Sequence, residues 1–205
     1  MAQITSGIRA MLSVPVIYDA LQNVMGARRV RRELVDEFIR PDAGCRVLDL
    51  GCGTADILKF LPNTIEYWGY DISPEYIDAA KATFGTRGHF GCGLLSETDL
   101  ANLPKFDRVL AIGVLHHLND EEVQEFFALA KQALNSSGRV VTIDPCLVAE
   151  QNPIARFLIL RDRGQNVRCS QGYTSLAQEN FENVKGTLRH RSWIPYTHWI
   201  MECSN

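Results

Sequence analysis

The chain predicts an α/β fold: a doubly wound, mostly parallel sheet with helices on its faces. Three observations carry this. Short apolar runs at 45–50, 65–71, 87–92, 107–112 and 139–144 alternate with amphipathic segments of helical period. Such alternation makes parallel crossovers, because each strand must be returned to the same edge by a helix. The first run also empties into a small-residue turn containing Gly51 and Gly53. That is the kind of junction at which sheets of this class receive ligands.

The elements follow in order. From Pro15 to Met25, the residues Val16, Ile17, Tyr18, Leu21, Val24 and Met25 share one helical face. Gly26 breaks this segment. A second helix is expected over 28–40, with Val30, Leu34, Val35, Phe38 and Ile39 inward, ended by Pro41. Residues 1–40 thus read as an N-terminal helical cap. A helix is expected over 54–61 with Thr54 as its cap, and another from Pro74 to Phe84 capped by Ser73. A helix over 120–134 precedes the fifth strand. Asn152 to Arg163 reads as helical with Ile154, Phe157, Leu158 and Leu160 inward, and Tyr173 to Phe181 as a short helix capped by Thr174. Lys185 to Trp193 and Tyr196 to Cys203 read as two strands separated by Pro195.

Bulk properties narrow the function. At 205 residues the chain is the right length for one well-buried domain, taken here as 1–205. A formal charge of −3 gives no basic surface for nucleic acid or anionic membrane. The apolar stretch at 8–17 is interrupted by Arg9 and Pro15 and is too short to span a bilayer. Six cysteines show no C-x-x-C pair and no metal-ligand rhythm, so they read as reduced, small hydrophobes with no metal site. A cytoplasmic enzyme is expected.

The densest chemistry lies in Val47-Leu48-Asp49-Leu50-Gly51-Cys52-Gly53-Thr54-Ala55-Asp56. The glycines let the backbone turn tightly and approach a ligand with no Cβ in the way. About twenty residues on, the second run ends at Asp71, where an acidic residue can grip ribose hydroxyls. Asp49, Asp71, Cys92, Ile112 and Asp144 all fall at the carboxyl ends of expected strands, the ligand-binding end of such a sheet.

Together these features resemble the class I S-adenosylmethionine-dependent methyltransferases, whose acidic-x-Gly-x-Gly pattern is here Asp49-Leu50-Gly51-Cys52-Gly53. A further glycine common in that family is here Ala55. Phe106-Asp107-Arg108-Val109-Leu110-Ala111-Ile112-Gly113-Val114-Leu115-His116-His117-Leu118 is similar to the family's fourth-strand motif. The resemblance covers roughly residues 15–145, and the rest in outline. It implies a Rossmann-like seven-stranded sheet closed by a C-terminal antiparallel hairpin, with a substrate lid over 146–184. It also implies S-adenosyl-L-methionine as cofactor, a small-molecule substrate, and a monomer or homodimer.

Within that resemblance the cofactor residues are Asp49, Gly51, Cys52, Gly53, Asp71, Ile72, Cys92, Gly93, Leu94, Ile112, Gly113, Val114 and Tyr18. Asp71 holds the ribose. Asp49 orders the turn or receives the donor's ammonium through water. Ile72 and Leu94 (or Leu95) cover the adenine, and Tyr18 folds over the methionine end. The family often places an acid where this chain has Cys92. His116 and His117 follow the fourth strand, and His117 is the first candidate for a base, with Asp144 next. The bland alternative is one histidine bound to backbone and the other lining the pocket. Arg163, Arg168 and Tyr173 are the substrate candidates, since guanidinium forks suit a carboxylate or phosphate and hint at an anionic or sugar-linked acceptor.

Transfer to an O or N of a small metabolite is therefore expected. RNA is disfavoured by charge, and a protein substrate by the lack of a large docking insertion. An Asn-Pro-Pro-Tyr-like motif for base amines is absent, because Ile112-Gly113-Val114-Leu115 stands there. Two alternatives remain open. One is an NAD-dependent oxidoreductase, which the carboxylate of Asp56 in place of the third glycine counts against. The other is a catalytically silent cofactor-binding subunit.

Overall fold

A computed structural model describes residues 27–161, 164–191 and 196–205. The expected helix over 15–25 with Tyr18, and the substrate candidate Arg163, lie outside the described residues. Seven strands form a mixed sheet in the order β3-β2-β1-β4-β5-β7-β6. Their ranges are β1 Arg46–Leu50, β2 Glu66–Asp71, β3 His89–Cys92, β4 Phe106–Ile112, β5 Leu134–Pro145, β6 Asn183–Arg191 and β7 Tyr196–Ser204. The chain divides into two compact units, one ending at Leu95 and the other running from Ser96 to Asn205.

In the first unit β1 pairs in parallel with β2, and β2 with β3. Helix α1 (Ala27–Glu33) continues as one widened π-helical turn, Leu34–Ile39, closed by Arg40 in the left-handed region. This turn buries Leu34, Val35, Phe38 and Ile39. Helix α2 (Pro74–Phe84) matches its expected bounds: Ser73 accepts from the Tyr76 amide and Pro74 stands at the first helical position.

The glycine turn departs from expectation. In place of a helix over 54–61 there is a single 3-10 turn, Asp56–Lys59. Ala55 is left-handed (φ 57°), following Gly51 (75°) and Gly53 (55°). A left-handed residue at 55 cannot continue a right-handed helix begun at 54, so Thr54 caps nothing and Ala55 stands at the cap with no side-chain bond.

In the second unit β4 pairs in parallel with β5, and β7 runs antiparallel to both β5 and β6. This is the expected closing hairpin. The pairing of β5 begins earlier than its apolar run, with a register shift between Phe106 and Arg108. Helices α3 (Glu97–Leu100) and α4 (Asp120–Ala133) both open with capping boxes, from Ser96 and Asn119.

Helix α5 (Pro153–Leu160) corrects the expected inward face: Ile154, Phe157 and Leu160 are exposed, and Ala155 and Ile159 are buried instead. The buried pair is i, i+4, so it fixes one narrow stripe, and the Arg161 guanidinium covers Phe157 at 4.4 Å. Helix α6 (Ser170–Gln178) starts earlier than expected, with Cys169 at its cap and Thr174 inside it. Among the described residues no helix is long and apolar enough to cross a membrane.

Candidate active site

In the first unit the site grows from the ends of β1 and β2. Asp49 is buried, and its Oδ2 accepts a 2.7 Å bond from the Tyr67 hydroxyl. Its Oδ1 is buried without a hydrogen-bond partner. Burial pushes the Asp49 carboxyl up to about 7, the Tyr67 bond partly opposes this, and the charge of Asp71 adds to it. Burial and the same two carboxylates also push the Cys52 thiol up. The point on which Asp49 and Asp71 converge is thus electronegative and short of one donor or cation.

Asp71 is oriented by backbone. Its Oδ2 accepts from the Gly53 amide (2.8 Å) and its Oδ1 from the Ser73 amide (2.9 Å). Each oxygen keeps lone-pair capacity for a ligand hydroxyl. Three other turn amides are tied within the protein: Gly51 and Cys52 donate to the Tyr70 carbonyl, and Ala55 to that of Cys52. Two carboxylates beside this turn would repel a pyrophosphate.

Next to Asp71, Ile72 and Leu94 are large apolar side chains left 43% and 75% exposed. Gly93 (φ 125°) sets the second of them beyond the end of β3, while Leu95 turns inward and is buried. Cys92 is exposed. Asp56, which stands in place of a third glycine, is turned into the protein, paired with Lys59 and with Arg31 at 3.7 Å.

In the second unit the end of β4 leads through Ile112, Gly113 (φ 70°) and Val114 into a 3-10 turn, Leu115–His117. The Gly113 amide donates to the Ile143 carbonyl at 2.8 Å. Asp144, near the end of β5, is buried, and its Oδ1 takes the His116 amide at 3.2 Å and faces the His116 Nδ1 at 2.8 Å. A carboxylate oxygen accepts, which assigns the Nδ1 proton to His116. The second oxygen, Oδ2, is buried without a partner. The His117 ring lies 4.1 Å from that of His116 and is less buried.

The remaining substrate candidates face inward. The five N–H groups of the Arg168 guanidinium are matched by five protein bonds. Nε and Nη2 reach Asp120 Oδ1, Nη1 reaches the Leu115 and Asn166 carbonyls, and Nη2 also reaches that of Leu118. That inventory leaves no N–H to meet an acceptor, so the expected anion contact is corrected to an internal one. Tyr173 is 1% exposed, its hydroxyl donates to the Pro145 carbonyl at 3.1 Å, and its ring lies under Arg168. It too is corrected to an internal support. Among the described residues no three or more His, Cys, Asp or Glu side chains gather to hold a metal ion.

Several participants escaped the sequence reading. Tyr67 is one residue of an apolar run, and only the demand of a buried Asp49 for a donor marks it. Gly69 gives room to the turn, since a Cβ there would stand 2.8 Å from the Cys52 sulfur. A Cβ at Gly164 would stand 2.0 Å from the His116 ring. No local pattern announces either glycine.

Comparison with known proteins shows what the sequence and the fold are similar to. The profile of a methyltransferase domain family matches residues 48–140. The chain is 29% identical over 155 residues to the human N-terminal Xaa-Pro-Lys N-methyltransferase 1, covering 70% of this chain and 68% of that one. It is 29% identical over 142 residues to the O-methyltransferase resE of Aspergillus sclerotiorum, covering 65% of this chain and 53% of the relative. In three dimensions it is similar to an S-adenosylmethionine-dependent methyltransferase from Archaeoglobus fulgidus. That match has a TM-score of 0.71 at 18% identity and covers 91% of this chain and 99% of that one, a likeness of fold.

Proposed function

We propose that the chain is a class I S-adenosylmethionine-dependent methyltransferase that methylates an oxygen or nitrogen of a small metabolite; the methyltransferase-domain profile over residues 48–140 and the human relative support this. The observation that carries this is the buried His116–Asp144 pair, 2.8 Å apart, with His117 packed on it. A hydroxyl or protonated amine must lose its proton as it is methylated, and this cluster is the second unit's means of taking one.

The residues of the first unit fit the donor. Asp71 would hold the ribose hydroxyls, Ile72 and Leu94 would cover the adenine, and Asp49, with its unpartnered Oδ1, would face the ammonium group. The bound donor supplies a methyl group made electrophilic by its sulfonium. Catalysis by the chain is then chiefly alignment plus removal of one proton. Asp144 fixes the His116 ring and its tautomer, His116 fixes the plane against which His117 packs, and His117 takes the acceptor's proton. Asp144 Oδ2 is the alternative proton acceptor. Because Arg168 has no N–H left over, the anionic narrowing of the acceptor lapses, and the proposal is a hydroxyl or amine.

A second acceptor is favoured by one observation. The human relative is named for methylating protein N-termini, so a peptide α-amine is the competing substrate class. The test is transfer of labelled methyl from S-adenosylmethionine into a fractionated cell extract, with Asp71→Ala as control. Label in the small-molecule fraction supports the proposal, and label confined to peptides supports the second reading. No label in either fraction, with donor binding intact, contradicts transfer and restores the silent subunit.

A further inference from the structure

We propose that Arg168 is a positioning residue: it fastens the His116–His117 turn beside Asp144 from outside the site. This rests on the reading that the His116–Asp144 cluster handles the acceptor's proton.

The turn needs such a tie. It is one 3-10 turn, closed by the Leu118 amide on the Leu115 carbonyl at 3.2 Å, with no length of helix to hold it. Arg168 bonds the carbonyls of Leu115 (3.0 Å) and Leu118 (2.9 Å), which bracket the two histidines. Its Nε and Nη2 both reach Asp120, the first residue of α4, at 2.9 and 2.6 Å. One planar fork therefore joins the beginning of the turn, its end and the helix that follows.

The arginine is itself anchored near Asp144. Its carbonyl accepts from the Leu147 amide at 3.1 Å, just past the end of β5. Its neighbour Asn166 donates its amide to the His116 carbonyl at 3.0 Å, so the same segment grips the catalytic turn a second time. Both sides of the 2.8 Å His116–Asp144 bond are thus referred to one strand of backbone at 166–168. Lysine cannot substitute, because an ammonium has three donors at a point where this site uses five in a plane.

The test uses the full chain, labelled with 15N-histidine and saturated with S-adenosylhomocysteine. The His116 Nδ1–H resonance is assigned by its loss in Asp144→Asn. In Arg168→Lys its exchange with water is expected to accelerate by about tenfold or more, as a locally opened hydrogen bond does. S-adenosylhomocysteine affinity should stay within about twofold, and the backbone amides of β5 should keep their protection, which separates loss of position from general loss of stability. If Arg168→Lys does not fold, Asp120→Asn on the exposed partner decides, with acceleration of about threefold expected. A His116 Nδ1–H exchange rate unchanged in the folded variant overturns the proposal. These readouts need no acceptor, so a failure of the methyl-transfer reading, seen as unlabelled extract, is distinguishable from a failure of this one.

Discussion

Asp49 and Asp144 are both buried at strand ends, and the two units treat them differently. Asp49 has a single neutral partner, Tyr67, and sits beside a second carboxylate with exposed apolar side chains next to it. Asp144 takes two N–H groups of one histidine, inside a turn that an arginine ties at both ends. The first unit leaves a deficit with the shape and charge of a ligand. The second spends Asp144 Oδ1 on two N–H groups, leaves Oδ2 without a partner, and keeps a ring in a fixed pose. A donor site can be built by withholding partners, whereas a proton-transfer site needs its groups held still before the acceptor arrives.

The largest way to break this contrast is Asp71→Ala. Two charge-assisted bonds to a ligand, at about 1.5–3 kcal/mol each, are lost with it. S-adenosylhomocysteine affinity should fall by at least about 100-fold in calorimetry. The His116 resonances of the second unit should not move, and a shift there would show that the units are not independently built.

The converse is Gly164→Ala, which places a Cβ against the His116 ring and carbonyl. Overpacking at such a contact costs about 1–3 kcal/mol. The thermal midpoint should fall by several degrees with donor affinity unchanged, and an unchanged midpoint would mean that this contact relaxes freely.

Asp49 sharpens the comparison through pH. Its folded carboxyl titrates at about 7, above the ordinary value. Between the two values the folded state binds more protons than the unfolded one. Stability of the ligand-free protein should therefore decline as pH rises from about 4 through 7, by up to about 4 kcal/mol. The ligand's ammonium group favours the carboxylate, so S-adenosylhomocysteine affinity should rise by about tenfold from pH 6 to 8, and Asp49→Asn should flatten both trends. A flat wild-type binding profile would remove Asp49 from the donor site.

The smallest effect is Leu94→Ser. Loss of partial apolar burial should weaken donor binding by about fivefold, with no change in stability because the side chain is already 75% exposed.

The same contrast explains what was legible in the sequence. The candidate donor residues lie in contiguous segments, strand then turn then the tip of the next strand, so spacing alone could nominate Asp49, the glycines, Asp71, Ile72 and Leu94. Even there Thr54 misled, because a left-handed Ala55 is invisible to a capping pattern. The second half depends on meetings between 115–120, 144–147 and 164–173, and periodicity carries no information about such meetings. His116, His117 and Asp144 were recognised as residue types at strand ends, but the pairing of His116 with Asp144 was not. Arg168 was read as a free fork because a charged residue in a polar run looks solvated, and only the fold shows the three carbonyls it reaches. The face of α5 was misread for a related reason. Ile154, Phe157 and Leu160 are as apolar as the buried Ile159, so composition could not say which stripe of the helix faces inward.

The most direct measurement is a crystal structure with S-adenosylhomocysteine bound. Ribose hydroxyls are expected on Asp71, the adenine under Ile72 and Leu94, and the amino group on Asp49 Oδ1, directly or through one water. A ligand whose ribose lies away from Asp71, or an Asp49 Oδ1 still without a partner, would contradict that placement.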